Sequence, residues 1–253
     1  MSSTLPSKKP ATASAGARAP GRRPATDAPA SEATLYEAIS RALLAGKLPP
    51  GTPLRERYLA EQFSVTRGAV RKVLLQLGHE GKLEMLPNRG AFVPQPSVQD
   101  MESIYGARMA VEAGVAAMLA SSIDPAGLAR LRAHAREERA AARQGLREES
   151  VRLAGAFHGT LVEMLANPEL SAIVHKLVAR TQMFVALFES AHDSGCAPDE
   201  HEAIIAALER RDVGAAVRAM LKHLSQVQER VKAHAEPPDA PELGDILRAS
   251  MQP

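Results

Sequence analysis

Apolar positions begin to recur at helical spacing just after residue 30, where Leu35, Ile39, Ala42 and Leu43 share one face. Thr34 and Glu37 have the spacing of a capping box. Gly46 followed by Leu48-Pro49-Pro50-Gly51 predicts a helix end and a turn. A second, short helix is expected from about Glu56 to Phe63, with Leu59 and Phe63 turned inward. After the tight connection Ser64-Val65, the hydroxyl of Thr66 can cap a third helix running to about Leu77, whose stripe is Val70, Val73, Leu74 and Leu77. Gly78 and Gly81 bracket its end. Two short extended runs, 83–86 and 91–93, then flank Pro87-Asn88-Arg89-Gly90, a hairpin signal. Helix, helix, helix, hairpin is the order of a winged helix-turn-helix.

Pro94 and Pro96 mark a linker, and everything beyond Ser97 carries the helical period. Ser97 and Asp100 can start a helix through Ala120, and Asp124-Pro125 opens another to about Gln144. A third covers roughly Glu148 to Ala166. Asn167-Pro168 starts the next, which reaches about Ala191. Asp193-Ser194-Gly195 is a loop, and helices follow from about Pro198 to Arg210 and from Val213, capped by Asp212, to about His234. The expected fold is mainly α: a winged helix-turn-helix at 31–96 and an all-helical antiparallel bundle at 97–235. A basic tail precedes them at 1–30 and a loose tail follows at 236–253.

Composition supports this pattern. Of the 253 residues 45% are hydrophobic but only 3% aromatic, with no Trp, so the core must be Ala, Leu, Val, Ile and Met, residues that favour helices. The net charge of +2 is too small to name a partner by itself. The single cysteine, Cys196, allows no intrachain disulfide and suits a reducing cytoplasm. No stretch approaches the ~20 apolar residues of a membrane span, and the N-terminus lacks the apolar run of a signal peptide. A cytoplasmic protein without membrane contact is expected. The basic tail reads either as a phosphate-seeking arm or as a solubilising segment.

Thr66, Arg67 and Arg71 fall on another face of the third helix, because positions four apart share a side. A recognition helix presents its first residues to base edges, and an arginine fork can donate two bonds to guanine. Arg57 on the preceding helix can grip the DNA backbone. Asn88 and Arg89 in the hairpin can reach the minor groove or phosphates, with Gly90 permitting the turn. For an isolated helix, an ordinary solvated face would explain the same arginines; the hairpin and linker in the right order favour DNA.

The run from Pro50 to Arg71 resembles the signature of the GntR family of bacterial regulators: a G-x-x-L turn, the Arg57-Tyr58-Leu59-Ala60-Glu61 helix, then Val65-Thr66-Arg67-Gly68-Ala69-Val70-Arg71. The resemblance implies that Arg57, Thr66, Arg67, Arg71 and Gly90 lie at double-stranded DNA, and that the chain is a homodimer on a palindromic operator. Residues 97–234 resemble the FCD domain of the FadR subfamily. This implies a sensor for a small-molecule effector, here a carboxylate, in a repressor of a metabolic operon that a small organic acid releases.

His158, His201 and His223 are spaced so that facing helices can bring them together as ligands for a divalent metal such as Zn, Ni or Mn. The FCD resemblance adds an aspartate one turn before the first histidine, but that position is Ala154, and Glu148, Glu149 and Glu163 are poorly phased to replace it. Three histidines with water, or a metal-free pocket for an anion, both remain open. Arg108 and Glu112 resemble the R-x-x-x-E of the family's first sensor helix, where the arginine reaches the effector carboxylate. A surface i,i+4 ion pair would look the same in sequence. Arg180 is a further effector-pocket candidate. The competing functions are a metal-dependent enzyme using the three histidines, or a DNA-binding dimer with a vestigial sensor.

Overall fold

The computed structural model describes residues 31–189 and 197–235. The basic tail 1–30, His192, the loop 193–195, Cys196 and the tail 236–253 lie outside the described residues.

The head begins with α1 (Glu32–Leu44), whose N-cap is Ser31. Its hydroxyl accepts from Thr34 N at 3.1 Å, so the cap lies three residues before the expected Thr34–Glu37 box. Thr34 and Glu37 are inside the helix because Ser31 already satisfies a first-turn amide. The chain then leaves α1 through Gly46 in the left-handed region. The two-residue strand β1 (Pro53–Leu54) leads into α2 (Glu56–Phe63). Ser64, at φ 53°, turns the chain into α3 (Arg67–His79), capped by Thr66, whose hydroxyl accepts from Ala69 N.

The hairpin forms as expected from β2 (Glu84–Leu86) and β3 (Gly90–Phe92), with Met85 opposite Ala91. β1 adds to the other edge of β3, giving the antiparallel order β1-β3-β2. That third strand is new: two residues carry no readable period. Leu35, Leu43, Val70, Leu74, Leu77 and Val93 close the head core.

The helical bundle comprises α4 (Val98–Ser122), α5 (Pro125–Arg143), α6 (Arg147–Glu163), α7 (Pro168–Phe188), α8 (Ala197–Glu209) and α9 (Val213–Ala235). Its sequence punctuation is realised. Ser97 and Asp100 make a reciprocal capping box, and Asp124 and Asn167 cap helices that carry Pro in the first turn. Asp212 accepts from Ala215 N at the start of α9. Leu119, Leu131, Phe157, Ile204, Met220 and Leu224 meet in the bundle core. By length and composition α7 is apolar enough to cross a membrane. Here it lies between the two cores. Met183, fully buried, belongs to the head core, while Phe184 packs with Tyr105 and Val231 of the bundle.

Candidate DNA face and three-histidine site

α3 and the hairpin enclose a groove of about 380 Å³ lined by Arg55, Arg57, Arg67, Arg71 and Arg89. All but Arg55, the N-cap residue of α2, are candidates that the sequence itself points to. Glu56 also lines the groove and binds Arg71 through both oxygens, at 2.8 and 2.9 Å, with Arg67 at 3.6 Å. Both guanidinium groups are nevertheless about two-thirds exposed. Arg57 reaches Glu61 at 3.6 Å and is 83% exposed. At the hairpin turn Asn88 and Gly90 take φ values of 60° and 92°, and Arg89 folds back over the Phe92 ring. Of the candidate DNA residues, Arg57, Arg67, Arg71, Arg89 and Gly90 line this one groove, Asn88 lies at the hairpin turn, and Thr66 caps α3.

In the helical bundle, α6, α8 and α9 each supply one histidine. His158, His201 and His223 are all at least 97% buried. Their Nε2 atoms converge: His223 Nε2 lies 3.2 Å from that of His158 and 3.3 Å from that of His201. Each opposite nitrogen is held by a different carboxylate. His158 Nδ1 donates to Glu112 of α4, His201 Nδ1 to Glu138 of α5 at 2.7 Å, and His223 Nδ1 to Glu200 of α8 at 2.7 Å. A carboxylate accepts, so the proton sits on Nδ1 and the lone pair of every Nε2 points at the other two. Phe157 stacks on His201 with ring centroids 4.0 Å apart and fixes its plane.

Three inward lone pairs cannot hydrogen-bond one another, and a bound cation would satisfy them. Tetrahedral Zn–N bonds of about 2.0–2.1 Å would set N···N near ~3.3 Å, which the two distances match. The group His158, His201 and His223 therefore fits a metal ion on its donor chemistry. Burial pushes the His158 pKa down to about 4 against the opposing pull of Glu112, and burial holds His223 well below its ordinary value. Burial alone would raise Glu112, yet Arg108 and His158 hold it at about 2.

A cavity of about 50 Å³ opens beside the cluster, lined by Ala154, Arg108, Thr181, Gln182 and Arg230 as well as the histidines. Water needs about 10–15 Å³, so the side that Ala154 leaves open has room for small ligand atoms. Arg108 and Glu112 are not a surface pair: they are 5% and 1% exposed. Arg108 Nε donates to Glu112 and Nη1 to Thr181 at 2.9 Å, whereas its buried Nη2 finds no partner among the described residues. Arg180 is a correction. It lies on the exposed outer side of α7 against Gly81, lining a separate groove near the linker, because its helical phase turns it away from Thr181 and Val185.

The sequence reading missed the carboxylates of Glu138 and Glu200, and paired Glu112 only with Arg108. Glu138 sits in the charged run Arg136-Glu137-Glu138-Arg139, which reads as a solvated face; its helical phase with Leu131 and Ala135 was the signal that it is buried.

Residues 32–93 match the model of bacterial regulatory proteins of the gntR family, and residues 103–226 match the FCD domain. The chain belongs to the GntR family of transcriptional regulators. It is 28% identical over 203 residues to the HTH-type transcriptional repressor RspR of Escherichia coli K12, covering 78% of this chain and 87% of RspR. It is also 28% identical to the HTH-type transcriptional regulator LutR of Bacillus subtilis 168, covering 76% and 96%. Among solved structures, E. coli McbR/YncC shares the fold with a TM-score of 0.68 at 19% identity, over 81% of this chain and 98% of that one. A GntR regulator from Rhodococcus sp. RHA1 gives 0.67 at 20% identity, over 80% and 97%. As a GntR-family regulator the chain is not an enzyme, and the buried histidine cluster is a feature of its FCD domain.

Proposed function

We propose that this GntR-family regulator is a cytoplasmic homodimer that represses a metabolic operon from a palindromic operator and is released by a small organic acid. The observation that carries the sensor half of this reading is the cluster of three inward Nε2 atoms beside a buried, unpartnered Arg108 Nη2. His158, His201 and His223 hold a divalent metal, of which Zn and Ni suit imidazole donors, whereas Mn would rely on added oxygen ligands. Bound there, the metal supplies a Lewis-acid centre for an oxygen ligand. Arg108, already fixed by Glu112 and Thr181, donates through Nη2 to a carboxylate of the effector. Glu112, Glu138 and Glu200 keep the three rings in the tautomer that ligates.

In the head, Arg67 and Arg71 read base edges from α3, Thr66 sets the start of that helix, and Arg57, Asn88, Arg89 and Gly90 belong to the backbone-gripping surface. Glu56 must release Arg71 for base contact, so the ion pair acts against non-specific binding.

The test is a thermal-shift screen of small organic acids on chelator-stripped protein, with and without each metal, followed by binding to an operator selected from random DNA. A hit at 100 times its dissociation constant raises stability by about 2.7 kcal/mol. The reading requires an acid whose stabilisation depends on metal and which weakens operator binding. Stabilisation by an acid equally well without metal would establish the metal-free anion pocket instead, and operator affinity indifferent to every stabilising acid would establish a vestigial sensor.

A further inference from the structure

α7 has two working sides. Thr181, Gln182, Val185 and Glu189 line the cavity beside the histidines. Met183 lies in the head core and Leu187 packs against it. The two sides are joined by bonds as well as by the helix. His223 Nδ1 donates to Glu200 Oε2, and Arg230 of α9 binds Glu200 with Nη1 at 2.7 Å and Nη2 at 3.3 Å. The same guanidinium turns its Nε to Glu189 Oε1 at 2.7 Å. Glu189, 7% exposed, is the C-cap residue of α7.

That helix end is where the head sits. Arg147 of α6 donates Nη2 to the carbonyls of Glu189, at 2.5 Å, and Ala186, at 3.3 Å. Gly46 of the head packs on the same Ala186 carbonyl so closely that a Cβ there would stand 2.4 Å from the oxygen. Gly46 also has φ 65°, so no side chain is tolerated at this contact on either ground.

From this geometry we propose that Arg230 is the link through which the three-histidine site sets the seat of the DNA-binding head. The inference rests on reading that cluster as the metal site. Glu200 is shared between His223 and Arg230, so any change in how strongly the His223 N–H is donated alters what Glu200 offers the guanidinium. Arg230 answers at its other end, on Glu189, and α7 ends against Gly46. Packed helices shift between discrete arrangements rather than deforming smoothly, which is what lets one hydrogen-bonded link bias a rigid-body contact. A chain of contacts becomes coupling only when cutting it decouples the two ends.

The experiment uses the full chain, stripped with chelator, and zinc alone as probe. Zinc affinity is measured first by competition with a chromophoric chelator. Amide hydrogen exchange is then followed in peptides covering residues 41–48 and 180–189, with and without saturating zinc. In the wild type, zinc should change exchange in both segments by at least threefold. Arg230→Lys keeps the charge but cannot span two carboxylates; it should bind zinc within about threefold of wild type and lose most of the response at 41–48. Glu189→Ala cuts the same link while keeping the backbone carbonyl that Arg147 uses, and guards against misfolding of the first variant. A purely structural Arg230 would lower stability or zinc affinity yet leave the response per bound zinc intact, and that result overturns the proposal. So does zinc binding in wild type without any change at 41–48. A wild type that binds no zinc overturns the metal site itself, and the affinity measurement separates that failure from the other two.

Discussion

The methyl group of Ala154 stands where the FCD resemblance implies an aspartate. Ala154 lies one turn before His158 and lines the same cavity. Ala154→Asp places a carboxylate on the shared face of α6, where side chains four apart meet. The expected outcome is tighter zinc binding, by tenfold or more, read by calorimetry, together with a weaker effector response because the new ligand occupies the effector's side. Unchanged affinity in the variant would show that Ala154 does not face the metal.

Elsewhere, Tyr36 donates to Glu80 at 2.6 Å and Lys82 binds the same carboxylate at 2.9 Å. Burial would raise the Glu80 pKa, but these two bonds outweigh it and hold it below the ordinary value. A carboxylate with a depressed folded pKa stabilises above its unfolded pKa, and that stability is lost as pH falls through the folded one. Glu80→Gln should therefore lower stability at neutral pH and flatten the acid limb below about pH 4.5, so that urea melts at a pH series show variant and wild type converging in acid. At this scale the sequence was half legible. The histidines announced themselves by type and context. Their carboxylate partners did not, because Glu138 and Glu200 come from other helices and a pairing across the bundle leaves no spacing to read.

Among the elements, α3 was the most legible, since stripe, cap and cationic face all follow from one helical period. Arg67→Ala and Arg71→Ala should each cost roughly 1–3 kcal/mol of specific operator binding if each makes a bidentate base contact. Glu56→Gln should do the opposite for non-specific DNA, raising affinity and steepening its salt dependence, because it frees two guanidinium groups. Fluorescence anisotropy at several salt concentrations reads both effects.

α7 was the least legible element. Its apolar residues were visible, but a periodic pattern does not say which core each side enters. Met183→Ala should destabilise by about 2–5 kcal/mol. Because that side chain is fully buried in the head core, the loss should appear as lowered protection in α1 and α3, seen by hydrogen exchange. Protection lost only within the bundle would contradict the assignment of Met183 to the head.

For the whole molecule, the head with its hairpin and the helical bundle were both readable from punctuation: Ser97–Asp100, Asp124-Pro125 and Asn167-Pro168 each begin a helix where the sequence places one. Assembly belongs to this scale too. A two-fold operator needs two heads, and sedimentation at micromolar concentration should give twice the 27.0 kDa chain mass; a monomer that stays single on operator DNA would contradict the dimer. What punctuation does not reveal is that the boundary near Pro96 separates the chain without separating the structure. Met183 and Leu187 reach back across it into the head core. Anyone building a hybrid biosensor by grafting this head onto a foreign effector domain would be cutting through a shared interior. The transplantable unit is residues 31–96 together with a docking helix that presents the same two side chains. By the same argument, a foreign head exchanged for this one should keep its stability only where its core accepts Met183 and Leu187 of α7.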